Sequence, residues 1–246
     1  MIGTSMSDDA FGGAPKILSG HQPDFMPWLG VFYKIRNSDV LRISDYVQYT
    51  NSWTNRVKIK GDSGKAEWIT IPIAATDHRL PICEVKIASG VDWKPRLLGK
   101  VHASYRRSPH YGELAEVLET IRAYEGVLLQ ELNLRLLRLT LKNLNVETRV
   151  VPGSELGLDS GKTMHIIDSC RKLQCSIYLA GQGAEYLDES LFAEHGLQLR
   201  RSRFVHPVYP QPGPEFVPGL SVLDAVANLG WARTSDLIAC EKQIYE

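Results

Sequence analysis

An excess of either charge is missing from this sequence. Its 28 Lys and Arg are balanced by 28 Asp and Glu, which argues against a dedicated nucleic-acid binder, because phosphate contacts need a basic excess or a strong basic patch. Cysteine is also scarce. The four residues Cys83, Cys170, Cys175 and Cys240 form no Cys-x-x-Cys pair, and buried reduced thiols are favoured over a redox or metal role. No apolar run approaches the roughly 18 residues that a membrane span needs. Met1 to Pro15 has neither the basic nor the apolar region of an export signal, so a flexible tail on a cytoplasmic protein is expected. His78, His102, His110, His165 and His195 are scattered without ligand spacing, which leaves a metal site without support. A Gly-x-Ser-x-Gly elbow is absent too, so Ser19, Ser154 and Cys175 lack the setting of an activated nucleophile.

What is present is ordinary globular composition, 43% hydrophobic and 23% charged over 246 residues, enough to bury a core without disulfide or metal staples. Lys16 to His21 is a short apolar run that stops at the polar turn Gln22-Pro23-Asp24. Trp28, Val31, Phe32 and Ile35 then repeat at helical spacing behind Pro27, placed as a first-turn proline. A second strand over 39–45 follows at once, so the pair reads as a parallel crossover. Alternation in Asn55 to Lys60, a turn at Gly61-Asp62-Ser63-Gly64 and Glu67 to Ile71 predict a hairpin whose one face carries Arg56, Lys58 and Lys60. Residues 93–145 read as helices broken at Ser108-Pro109 and near Glu125-Gly126, the last of them leucine-rich and deeply buried.

Strands are expected again over 147–151, 176–180 and 197–204, with an amphipathic helix over 163–173. A capping-box helix starts at Ser221 and stops at Gly230. The expected fold is α/β: a mostly parallel central sheet flanked by helices, a Rossmann-like three-layer arrangement, with a β-hairpin and a helical insertion at about 92–145 in one domain spanning 16–246.

Five strands end in polar or glycine-rich turns: His21-Gln22-Pro23, Asp45, Ser154-Glu155, Gly181-Gln182-Gly183 and His206. In a parallel sheet these turns emerge on one edge, where open α/β folds bind ligands. His21 suits a base, an acid or an anion ligand, or its ring simply ties down the turn. Asp45 either orients His21 or ends its strand, and His206 either acts in the site or stiffens His206-Pro207. The basic face of Arg56 and Lys58 suits an anionic donor, or protects an edge strand. Gly161-Lys162-Thr163 is no Walker site, because Gly157 stands one residue too close and no strand runs into it. Gly181-Gln182-Gly183 before a helix could cradle an anion but lacks the rest of a dinucleotide fingerprint.

The block His21-Gln22-Pro23-Asp24-Phe25-Met26-Pro27-Trp28-Leu29-Gly30, with Asp45-Tyr46-Val47-Gln48-Tyr49, Asn55-Arg56, Ser154-Glu155-Leu156, Tyr178 to Ala184, Tyr186-Leu187 and His206 to Gln211, resembles the WbqC-like protein family. The likeness runs in order from about residue 16 to 230. It implies a bacterial protein of O-antigen, capsule or natural-product pathways, with an enzymatic part in making or decorating a sugar. Ala180 stands where the family often has Ser, which removes a hydroxyl from any scheme that needs one there.

Two functional readings follow. In the first, a transferase moves an acyl or aminoacyl unit from a small-molecule donor onto a sugar or related metabolite. His21 is its general base, Asp45 holds the ring and His206 assists, while Arg56 or Lys58 and the Gly181, Gln182 and Gly183 amides steady negative charge. Gln22, Trp28, Gln48, Tyr49, Asn55, Ser154, Glu155 and Tyr209 complete the candidate binding set. In the second, a non-catalytic protein binds a nucleotide-sugar or glycan intermediate on Trp28, Tyr49 and Trp53. No residue pattern names a cofactor.

Overall fold

A computed structural model describes residues 14–184, 187–239 and 244–245. The expected tail as far as residue 13, Tyr186 and Cys240 lie outside the described residues. In chain order the elements are β1 (Ile17–His21), α1 (Leu29–Arg36), β2 (Val40–Ile43), the hairpin β3 (Arg56–Lys60) and β4 (Ala66–Thr70), the helices α2 (Trp93–Tyr105), α3 (Ala115–Arg122) and α4 (Leu129–Asn143), then β5 (Arg149–Pro152), α5 (Lys162–Lys172), β6 (Ile177–Ala180), α6 (Glu189–Glu194), β7 (Gln198–Ser202), α7 (Val222–Ile238) and β8 (Ile244–Tyr245).

The central sheet has the order β5-β2-β1-β6-β7-β8, and β3 and β4 form a separate ribbon. The first five strands are parallel, with Leu18 beside Val40, Ile17 beside Ile177 and Val40 beside Arg149, and β8 runs antiparallel to β7. After β1 the chain steps outward through β2 to β5, then crosses back to β6 on the other side of β1. That reversal opens the carboxyl ends of β1 and β6 away from each other's loops, the place where doubly wound sheets bind ligands.

Alternation along the strands fills two layers. Leu18, Val40, Tyr178 and Ala180 pack with Ile166, Ile167 and Cys170 of α5 and Phe192 of α6. Leu41 and Ile43 face a larger core built from α1, the hairpin, α2 to α4 and α7. The result is a three-layer α/β fold. The leucines of α4 are buried on a broad face because this helix packs against both α3 and the β1–α1 segment.

Some boundaries differ from expectation for local reasons. Ser221 caps α7 through its hydroxyl, which accepts the Leu223 N–H, but the chain does not end its helical course at Gly230. Gly230 breaks the helix at φ 78 and ψ 168, a conformation open chiefly to glycine. A second helical stretch begins at Trp231, whose amide donates to the Glu113 carboxylate at 2.7 Å. The helix expected behind Gly181-Gln182-Gly183 starts only at Glu189, as α6, where Asp188 caps it by accepting the Ser190 and Leu191 amides. Gly181 to Ala184 therefore form a free-standing turn, well ahead of the next helix. Among the described residues no helix is long and apolar enough to cross a membrane.

Candidate functional site

A cleft of about 340 Å³ lies at the β1/β6 reversal and is lined by Gly20 and His21 of β1, Trp28 ahead of α1, Gly30, Val31 and Lys34 of α1, Tyr178, Gly181 to Ala184 and Phe204. Its size suits a small-molecule ligand. The turn between β1 and α1 forms one wall and is fixed from three sides. The Phe25 amide donates to Trp53 O at 3.0 Å, the Ser221 hydroxyl donates to Met26 O at 2.7 Å, and the buried Asn133 amide donates to Pro23 O at 2.7 Å and Thr54 O at 2.8 Å. Met26 adopts φ 43, an unfavourable conformation for a side chain with a Cβ, which these anchors hold in place. At Gly30 an added Cβ would stand 2.3 Å from the Trp28 ring, so glycine there allows the indole to fold over the first turn of α1 and face the cleft.

His21 is 27% exposed at its side chain, so the ring opens to solvent. Its Nε2 lies 3.1 Å from Asp24 Oδ2 and its Nδ1 3.4 Å from Lys34 Nζ. A carboxylate only accepts, so Nε2 carries the proton of the neutral ring and Nδ1 keeps the lone pair toward Lys34. The Lys34 amine also donates to Gly20 O at 2.7 Å. At 6% exposure, Lys34 is buried. Burial drives its pKa down from 10.5 to about 8, with Asp24 opposing and Arg42 adding to the fall. Asp24, His21 and Lys34 thus form a carboxylate–imidazole–amine line at the floor of the cleft. Neither Lys34 nor Asp24 is among the residues that the strand-end pattern points to. Lys34 stands three and four residues after Val31 and Gly30, on the face that α1 turns to the cleft, and that spacing was the available signal.

The other candidates divide. Gly181, Gln182 and Gly183 line the cleft, and Gln182 donates to Phe204 O at 3.5 Å. Trp28 stacks parallel to His206, with ring centres 6.0 Å apart. The His206 Nδ1–H donates to Pro207 O at 2.9 Å, its Nε2 is buried without a partner, and burial lowers its pKa, so the ring stays neutral at physiological pH. Asp45 does not hold His21. It is buried at the end of β2, accepting from the Ser154 amide at 2.8 Å, the Ser154 hydroxyl at 2.6 Å and Gln130 at 2.7 Å, and so ties the end of β5 to α4. Ser154 and Glu155 sit in that turn, outside the cleft lining.

The hairpin contributes nothing to the lining either. Arg56 and Lys58 lie over the Trp68 ring at 4.5 Å and 5.1 Å, cation–π contacts that draw them onto β4. Lys60, expected on the exposed basic face, is buried and donates to Glu215 O. Tyr49 donates to Asn55 at 2.8 Å, and Asn55 donates to Ile71 O at 2.9 Å, so both brace the hairpin. Gln48 is exposed at an isolated bridge to Pro81, and Gln22 accepts from Thr54 at 3.5 Å. Tyr209 is buried and donates to Asp224 at 2.8 Å. Of the nucleophile options, Ser19 is buried and accepts from Ser38, and burial pushes the Cys175 thiol up to about 11. Among the described residues no group of His, Cys, Asp and Glu is gathered as a metal site.

The family model described as "WbqC-like protein family" matches residues 22–236. The uncharacterized protein Rv1507c of Mycobacterium tuberculosis is 31% identical over 227 residues, which covers 90% of this chain and 97% of that protein. No solved structure matches the chain. The His21 to Gly30 turn that walls the cleft falls almost wholly within the matched span, and the chain belongs to the WbqC-like protein family.

Proposed function

We propose that the protein is a cytoplasmic group-transfer enzyme that moves an acyl or aminoacyl unit from an activated donor to a hydroxyl or amine of a sugar or related metabolite in surface-polysaccharide or natural-product biosynthesis. The observation that carries this reading is the Asp24–His21–Lys34 line at the floor of the switch-point cleft. In the reaction, the acceptor oxygen or nitrogen attacks the donor carbonyl carbon. His21 Nδ1 takes the acceptor proton, the new bond forms, and the donor's leaving group departs with its electron pair. Asp24 fixes the tautomer and steadies the imidazolium, as carboxylates do behind catalytic histidines. Protonated Lys34 occupies the Nδ1 lone pair, so the base is freed as that amine loses its proton. The Gly181 to Gly183 turn supplies backbone amides for the oxyanion.

The test begins with a thermal-shift screen of activated sugars, acyl carriers and aminoacyl donors, followed by mass-spectrometric detection of product. His21→Ala is expected to lose turnover by about a hundredfold or more with little change in Tm. Retained turnover removes His21 from the role of base. If a ligand binds and no donor–acceptor pair is consumed, the protein is a binding module for that ligand, with Trp28 as its stacking surface.

A further inference from the structure

Arg42 is a buried cation that no carboxylate among the described residues pairs with. It is 3% exposed, near the end of β2. Its Nη1 donates to Ser169 Oγ at 3.1 Å and its Nη2 to Ser44 Oγ at 3.2 Å, its guanidinium lies 5.4 Å from the centre of the Tyr46 ring, and its Nε has no partner. Among the described residues it takes part in no ion pair. Arginine stays ionised at every pH at which a protein folds, and an uncompensated charge in the interior costs several kcal/mol. Two neutral hydroxyls repay only part of that cost.

The guanidinium comes close to the cleft wall at Gly20. A Cβ at this position would stand 3.0 Å from Arg42 Nη2 and 2.8 Å from the Tyr178 hydroxyl. Gly20 and Tyr178 both line the cleft and Arg42 packs directly behind them, so at this residue only the Gly20 backbone and the Tyr178 hydroxyl stand between the cleft and the guanidinium. The Gly20 carbonyl meanwhile accepts from Lys34. Two buried cations therefore bracket one strand residue, and the carboxylate acting on Lys34, Asp24, is already bonded to His21.

We propose that the carboxyl end of β1 at Gly20 is an oxyanion subsite, where a phosphate or carboxylate group of the substrate docks against the Arg42 guanidinium beside the Tyr178 hydroxyl. This rests on the cleft being the substrate site. A planar fork of N–H donors matches the oxygen spacing of either anion, and the anion completes the charge balance that the fold leaves open. The substrate is thus a phosphorylated or carboxylated small molecule, oriented with its anionic end at Gly20 and its reacting group toward His21.

Binding is measured by titration calorimetry and thermal shift on the full chain, at constant ionic strength, with inorganic phosphate in one arm and acetate in the other. One of the two is expected to raise the Tm of the wild-type protein in the millimolar range and to bind at least about tenfold more weakly to Arg42→Met, the loss of one charge-assisted fork. Binding in the phosphate arm alone assigns a phosphorylated substrate, and in the acetate arm alone a carboxylated one. The subsite is overturned if neither anion binds, or if affinity is unchanged in Arg42→Met. If Arg42→Met does not fold, Gly20→Ala sets a methyl group against Arg42 and Tyr178 at the cleft wall with Arg42 in place; the same loss supports the subsite and unchanged affinity removes it. Because binding is read without turnover, a fully active His21→Ala enzyme sinks the proton-transfer reading alone, and lost anion binding sinks the subsite alone.

Discussion

At the scale of single residues, the chemistry of the cleft rests on an amine held where it prefers to be neutral. Lys34 has a folded pKa of about 8 against an ordinary 10.5, so between these values the unfolded chain binds more protons than the folded one and stability rises with pH. The buried charge destabilises the fold below pH 8, and this penalty is relieved as the amine deprotonates. From pH 8 to pH 10 the wild-type protein should gain about 2 kcal/mol of unfolding free energy relative to Lys34→Met, as read by urea denaturation at each pH; a difference that stays flat would place the amine's pKa at its ordinary value. For the proposed transfer reaction, the same amine should give kcat/KM a rising limb near pH 8 that is absent in Lys34→Met. His21 was legible in the sequence because a histidine ending a strand is a local pattern. Lys34 and Arg42 were not, because a lysine in a helix and an arginine in a strand ordinarily face water, and only the packing of α1 and α5 on the sheet buries these two.

At the scale of elements, the β1–α1 turn works as a rigid wall because distant elements supply its hydrogen bonds. Asn133 of α4 uses both amide hydrogens on Pro23 O and Thr54 O, inside the core. Asn133→Ala should lower stability by about 1–3 kcal/mol, the cost of leaving buried acceptors unpaired, and should speed amide hydrogen exchange across His21 to Trp28 more than in β6 and β7. Uniform exchange across all three would show that the anchor does not act locally. The hairpin, the break between α2 and α3 and the start of α7 could be read from alternation, from Ser108-Pro109 and from the Ser221 cap. The course of the chain past Gly230 could not, because Glu113 supplies the cap of the second stretch from 118 residues away in sequence. For the same reason Asp45 passed for a partner of His21: chain position puts both at strand ends, whereas the bonds of Asp45 run to α4 and β5.

At the scale of the whole molecule, parallel strands could be inferred from the intervening helices, but their order could not. The crossing from β5 back to β6 is a matter of which layer each helix covers, and it alone decides that the turns after β1 and β6 share a cleft while those after β2 and β5 meet on the other side of β1. A balanced charge likewise hides local imbalance: two buried cations at Gly20 vanish in a total of zero. The central claim is that this cleft holds an amine poised to exchange a proton with His21, and it can be measured without knowing any substrate. Heteronuclear NMR of protein carrying isotope-labelled lysine should show one side-chain signal titrating with a midpoint near 8, absent in Lys34→Met. A spectrum in which no lysine signal titrates near 8 contradicts the claim.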